Sequence, residues 1–176
     1  MTYYTYMDSP IERLMLVSDG TCLTGLLMVE HKHGPAIEPH WKPDDTAEPF
    51  AETKRQLEAY FGGRLTQFNL PIKQQGTDFQ RKVWKELMNI PFGETISYGE
   101  LARRVGNPNA SRAVGLANGQ NPISIIVPCH RVIGANGKLV GYGGGLGRKE
   151  ILLQLERSAV SNQPRAPSLA DLWTAD

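Results

Sequence analysis

Apolar residues fall along the chain in two rhythms. At the start they form short runs, at Tyr3–Met7, residues 13–18 and residues 22–29, rich in aromatic, aliphatic and β-branched side chains. Asp8-Ser9-Pro10 separates the first pair and Asp19-Gly20 the second. Turn residues between such runs predict a three-stranded antiparallel meander, and Asp-Gly favours a tight hairpin because it tolerates positive φ. Residues 31–49 carry Pro, His and Asp without periodicity and read as a surface loop. Phe50, Leu57 and Tyr60/Phe61 then share a helical face that stops at Gly62-Gly63.

From Gly76 the spacing turns helical. Thr77-x-x-Gln80 is a capping box, opening a helix whose Phe79, Val83, Trp84 and Leu87 form one stripe up to Pro91 and Gly93. Ser97-x-x-Glu100 opens a second, short helix through Val105. Gly106-Asn107-Pro108 turns the chain, and Asn109 is placed to cap a third helix over residues 110–119. Two short helices around a Gly-containing turn have the outline of a helix-turn-helix, an outline that many helical hairpins share without binding DNA. An apolar run at 122–127 and a Gly-rich stretch at 141–147 precede a last helix over 147–158, carrying Ile151, Leu152 and Leu155. The division that follows is an α+β domain over residues 1–75, a mainly helical domain over 76–158 and a polar, flexible tail over 159–176.

Charge sharpens this division. The whole chain is +1, but residues 1–75 hold 7 Lys/Arg against 10 Asp/Glu, while residues 76–158 hold 11 against 6. The second half therefore suits a polyanion, although basic surfaces also occur on proteins that bind no nucleic acid. No apolar run reaches the roughly 18 residues of a membrane span, and the N-terminus has no secretory pattern, so a cytoplasmic protein is expected. The two cysteines, Cys22 and Cys129, are then expected as thiols.

Cys129 stands at the exit of the apolar run, between Pro128 and His130. An ordinary cysteine is only a few per cent thiolate at neutral pH, so a nucleophile needs a base or a positive neighbour, and His130 and Arg131 could supply both. In an extended strand the two side chains would diverge, so the pair works only if the chain bends at Pro128; a core thiol stays open. Glu150, in the first turn of the last helix, could orient His130 or could simply favour the helix dipole. The third helix is small-sided, with Ala110, Ala113, Gly115, Ala117 and Gly119 around Arg112. A smooth face with one protruding cation suits a narrow groove, and equally suits packing against another helix. The 141–147 stretch lacks phosphate-loop spacings, and His31, His33 and His40 lack regular ligand spacing, so no metal site is expected.

Pro128-Cys129-His130-Arg131-Val132, preceded by Asn118-Gly119-Gln120-Asn121-Pro122, resembles the signature of the O6-alkylguanine-DNA alkyltransferases. Ile96-Ser97-Tyr98-Gly99, Ser111-Arg112-Ala113-Val114-Gly115 and Tyr142-Gly143-Gly144-Gly145 fall in that family's order. The resemblance implies irreversible, single-turnover transfer of an alkyl group from O6-alkylguanine in DNA to Cys129, and leaves activity on O4-alkylthymine open. It implies His130 as base through a water, Glu150 holding His130, and Asn121 tying the helix-turn-helix to the active-site segment. Arg112 becomes the finger that replaces the flipped nucleotide, Tyr98 a neighbour of the flipped base, and Val132, Tyr142 and the backbone at Gly143 the pocket wall. Ala110, Ala113 and Gly115 become the DNA-facing surface. The partner is double-stranded DNA entered through the minor groove by a monomer, with no metal and no cofactor. Many relatives carry Ser or Ala at Gly143, so a hydroxyl contact is missing here.

Overall fold

The computed structural model describes residues 1–29, 37–137 and 146–162. The expected meander is present as β1 (Tyr3–Met7), β2 (Leu14–Ser18) and β3 (Leu23–Met28), antiparallel in succession. The β2–β3 connection spans four residues instead of a tight pair. Asp19 Oδ1 accepts from the Thr21 and Cys22 amides, and Gly20 takes φ +97°. The expected loop over 31–49 holds a further strand, β4 (Lys42–Pro43), which pairs parallel with β1 and caps the sheet in the order β3-β2-β1-β4. Two residues of pairing leave no periodicity to read, so this strand was invisible in the sequence. Helix α1 (Phe50–Phe61) follows, burying Phe50, Leu57 and Tyr60.

Helix α2 (Asp78–Leu87) begins at the predicted capping box, with Thr77 Oγ1 accepting from the Gln80 amide and Gln80 Oε1 accepting from the Thr77 amide. Its buried residues are Val83, Trp84 and Leu87. Phe79, expected on that stripe, is 36% exposed, because it lies roughly 90° round the helix from the stripe's centre. Trp84 packs over Gly76, where an added Cβ would lie 2.6 Å from the indole, and its Nε1–H donates to Ala117 O at 2.8 Å.

β5 (Ile96–Ser97) leads into α3 (Tyr98–Arg104), and a turn with Gly106 at φ +88° leads to α4 (Ser111–Gly119). Ser97 caps α3 by accepting from the Glu100 amide, while the Glu100 carboxylate pairs with Arg103 and Arg104. The cap position of α4 is Ala110 and carries no side-chain hydrogen bond, which corrects the expectation for Asn109. A 3₁₀ turn, Cys129–Arg131, and β6 (Val132–Ile133) follow, and β6 pairs parallel with β5. The last helix, α5, runs Leu146–Asn162, four residues into the segment expected as tail.

One apolar core joins both halves: Leu14, Leu23 and Leu26 of the sheet and Tyr60 of α1 pack in the same cluster as Trp84, Val114, Ile123 and Leu152. Among the described residues, no helix is long and apolar enough to cross a membrane.

Candidate active site

The sheet places the reactive segment. Leu26 of β3 donates its amide to Pro122 O at 2.9 Å and accepts from the Ser124 amide at 3.1 Å, so the apolar run docks on the strand edge. The run then leaves that edge: Ile125 takes φ +72°, rare for a β-branched residue, and Val127 N closes back on Ile123 O at 3.1 Å. Pro128 follows, and Arg131 N bonds Pro128 O at 3.0 Å to close the 3₁₀ turn. The chain therefore bends where a Cys129–His130 partnership requires it.

His130 is fully buried, and its Nε2 lies 2.5 Å from Glu156 Oε2 on α5. A carboxylate only accepts, so Nε2 carries the proton and Nδ1 presents its lone pair. That Nδ1 has no hydrogen-bond partner among the described residues. Arg131 clamps the same carboxylate, Nε to Oε1 at 2.9 Å and Nη2 to Oε2 at 3.2 Å, while its Nη1 holds Ile90 O at 2.7 Å. Tyr60 donates its hydroxyl to Oε2 at 2.6 Å, and the Gly93 amide donates to Oε1 at 3.1 Å.

Two asparagines fix the backbone around the thiol. Asn118, near the end of α4, donates to Cys129 O at 3.2 Å. Asn121 donates to Val127 O at 2.8 Å and Ile123 O at 3.2 Å, and its Oδ1 accepts from the Ile123 amide at 3.0 Å and from Gln74 at 3.1 Å. Asn121 thus ties the end of α4 to the segment that carries Cys129.

Burial opposes charge on both Cys129 and His130. Burial raises the Cys129 thiol above its ordinary range, against a hydrogen bond from Asn121 and the charge of Lys149, which pull it down. Burial likewise lowers His130, against the pull of Glu156. Burial would raise Glu156, but His130 and then Arg131 hold its carboxyl at about 2. Lys149, buried on α5, is lowered to about 8 by burial; its Nζ donates to Val132 O at 2.6 Å and lies 5.8 Å from the Tyr98 ring centre.

Beside this centre, α4 packs on α2 and α3 through Val114, Ala117 and Asn118. Its exposed face presents Arg112, Ala113, Leu116, Gly119 and Gln120.

Two family models match the chain: "6-O-methylguanine DNA methyltransferase, ribonuclease-like domain" over residues 2–74 and "6-O-methylguanine DNA methyltransferase, DNA binding domain" over 78–158. The chain belongs to the methylated-DNA–protein-cysteine methyltransferase family. It is 54% identical over 176 residues to the Mycobacterium bovis methylated-DNA–protein-cysteine methyltransferase, covering 100% of both chains. With that of Methanosarcina acetivorans it shares 51% over 156 residues, 89% of this chain and 99% of the relative. Among solved structures it is similar to the Mycobacterium tuberculosis O6-methylguanine methyltransferase, with TM-score 0.82, 53% identity and coverage of 98% and 99%. It is also similar to Mycobacterium tuberculosis OGT in complex with DNA, with TM-score 0.83, 52% identity and 99% of each chain.

Of the residues singled out in the sequence, the fold brings Cys129, His130, Asn121, Tyr98 and Val132 together. Tyr142 and Gly143 lie outside the described residues. Glu150 does not join: it is exposed, and the carboxylate on His130 belongs to Glu156. The reason is helical phase. The buried stripe of α5 is Lys149, Leu152, Leu153 and Glu156, which leaves Glu150 to one side and Ile151, 44% exposed, opposite. Gly115 turns towards Tyr98, where an added Cβ would lie 3.5 Å from the ring, in ordinary van der Waals contact; Ala110 is half-buried and Ala113 exposed. Sequence reasoning missed Glu156, Lys149, Asn118 and Tyr60 in this network, and gave the charge of Arg131 to the thiol where the fold gives it to the carboxylate. For Lys149 and Glu156 the signal was present in the i, i+3, i+4, i+7 spacing with Leu152 and Leu153; for Tyr60, remote in sequence, there was none.

Proposed function

We propose that this methyltransferase performs direct-reversal repair of double-stranded DNA, taking the alkyl group of O6-alkylguanine onto Cys129 Sγ once per molecule. The observation that carries the reading is His130, on the same 3₁₀ turn as Cys129, buried against Glu156 of α5 with its Nδ1 unpaired among the described residues. The Cys129 proton passes to His130 Nδ1, through a water, and the imidazolium formed is held by Glu156. The thiolate, favoured by Lys149 and the Asn121 hydrogen bond, attacks the alkyl carbon in line. The carbon–O6 bond breaks, its electron pair stays with guanine, and Tyr98 helps orient or protonate the leaving base. A thioether is too inert to hydrolyse, so the protein is consumed.

The lesion must leave the stack to be reached, at a few kcal/mol. The exposed face of α4 suits such eversion, since small side chains let it enter the minor groove and Arg112 fills the gap left by the everted nucleotide. The similar Mycobacterium tuberculosis OGT solved in complex with DNA supports DNA as the partner. In this reading residues 76–158 contact DNA as a monomer, residues 1–75 hold the reactive segment in place, and the protein acts in the cytoplasm. Val132, with Tyr142 and the Gly143 backbone, walls the pocket.

The test is mass spectrometry of the full chain after incubation with duplex DNA carrying O6-methylguanine. One methyl group is expected per molecule, on Cys129 and not Cys22, and Cys129→Ala is expected to lose transfer but keep lesion binding. Repeated turnover, or binding by the wild type with Cys129 unmodified, overturns the proposal.

A further inference from the structure

Tyr60 lies near the end of α1, in the half of the chain that supplies no reacting group, yet its hydroxyl reaches the oxygen that meets His130. Tyr60 Oη is 2.6 Å and His130 Nε2 2.5 Å from Glu156 Oε2. The side chain is fully buried, with its ring packed edge-on against Phe61 and Phe92 and tilted on Phe68. Phenylalanine would satisfy that packing. A phenol aimed at a shared carboxylate oxygen does something packing does not need.

We propose that Tyr60 is a positioning residue which, acting through Glu156, sets the proton affinity of His130 Nδ1. The inference rests on the reading of His130 as the base. Among the described residues, Glu156 Oε2 serves three donors: Tyr60 from α1, and His130 Nε2 and Arg131 Nη2 from the 3₁₀ turn. Oε1 serves Arg131 Nε and the Gly93 amide from the turn after α2. Lys149, on the same helix as Glu156, adds a positive charge that disfavours the imidazolium. Arg131 is anchored on Ile90 O, so its share of the carboxylate is fixed. Tyr60 is the neutral donor on the oxygen that His130 uses, and donors on one oxygen weaken each other's hold. Without the phenol, the carboxylate grips Nε2–H harder and His130 becomes more basic; a stronger phenol makes it less basic. The N-terminal half thereby tunes the chemistry of the C-terminal half.

The experiment measures alkyl transfer from lesion-bearing duplex against pH, together with an NMR titration of the His130 imidazole. Tyr60→Phe is expected to move the acid limb and the imidazole titration upward by about half to one pH unit, roughly half of what one hydrogen bond to a charged group is worth, because the effect reaches His130 only through the shared carboxylate. Replacing Tyr60 with 3-fluorotyrosine, similar in shape but a stronger donor, is expected to move both downward. Shifts in the same direction for the two proteins, or none, overturn the proposal. If Tyr60→Phe fails to fold, the fluorotyrosine protein alone decides, since its shape is kept. Failure of the wild type to transfer would instead remove the functional reading, whereas transfer with an unmoved acid limb removes only the role of Tyr60.

Discussion

Cys129 and His130 are adjacent, a neighbourhood that in extended backbone would separate their side chains; the 3₁₀ turn after Pro128 replaces that extended geometry, as the proposed partnership requires. In the proposed mechanism, Glu156 supplies the charge that lets His130 accept a proton in a buried site. Glu156→Gln leaves the Arg131 guanidinium buried without its counter-ion, so a stability loss of about 3–5 kcal/mol is expected in urea unfolding, with transfer slowed about 10–100-fold. Glu150→Gln is expected to change neither. The pH dependence follows from the same group. Its carboxyl sits at about 2 in the fold against an ordinary 4.5, so its contribution is fully present above about 4.5 and is lost as pH falls towards 2. Acid titration of stability is expected to show that loss in the wild type and to show less of it in Glu156→Gln. If Glu150→Gln produced the larger loss, the phase assigned to α5 would be wrong.

At the scale of the element, α4 faces two ways. Val114, Ala117 and Asn118 join the core and the site, while Arg112 and Ala113 point out. Its small residues divide in the same way: Gly115 lies against Tyr98, Ala117 is buried, and Ala113 is on the exposed face. Arg112→Ala is expected to slow transfer from duplex about tenfold or more, a fraction of the few kcal/mol that eversion of a base costs. Transfer from the free base O6-benzylguanine, which needs no eversion, is expected to be unchanged. Equal losses on both substrates would remove Arg112 from that role. Helix starts were legible where chemistry is local, as at Thr77 and Ser97. They were misread at Asn109, where Ala110 takes the cap position without a side-chain bond.

Across the whole molecule, the two halves are less separate than their charge and patterning imply. The core runs through both, β3 carries the 122–127 run on its edge, Gln74 meets Asn121, and Tyr60 meets Glu156. Deleting residues 1–75 would uncover apolar side chains such as Trp84, Ile123 and Leu152 and take partners from the site. The fragment 76–176 is therefore expected to lack a cooperative melting transition by circular dichroism and to transfer no alkyl group. A cooperative, active fragment would show that the shared core is dispensable.

By itself the sequence determined the elements whose cause is local: the meander from its turn residues, α2 from its capping box, α1 from its stripe and glycine stop. It also determined the family, because the sequence blocks around Cys129 occur together in it. Tertiary structure decided everything that depends on phase or on distant contact. The carboxylate on His130 depended on which side of α5 meets the core, and β4 on two residues of pairing to a strand about 40 residues earlier. Such choices are set by the summed burial of many side chains, which no window of sequence contains.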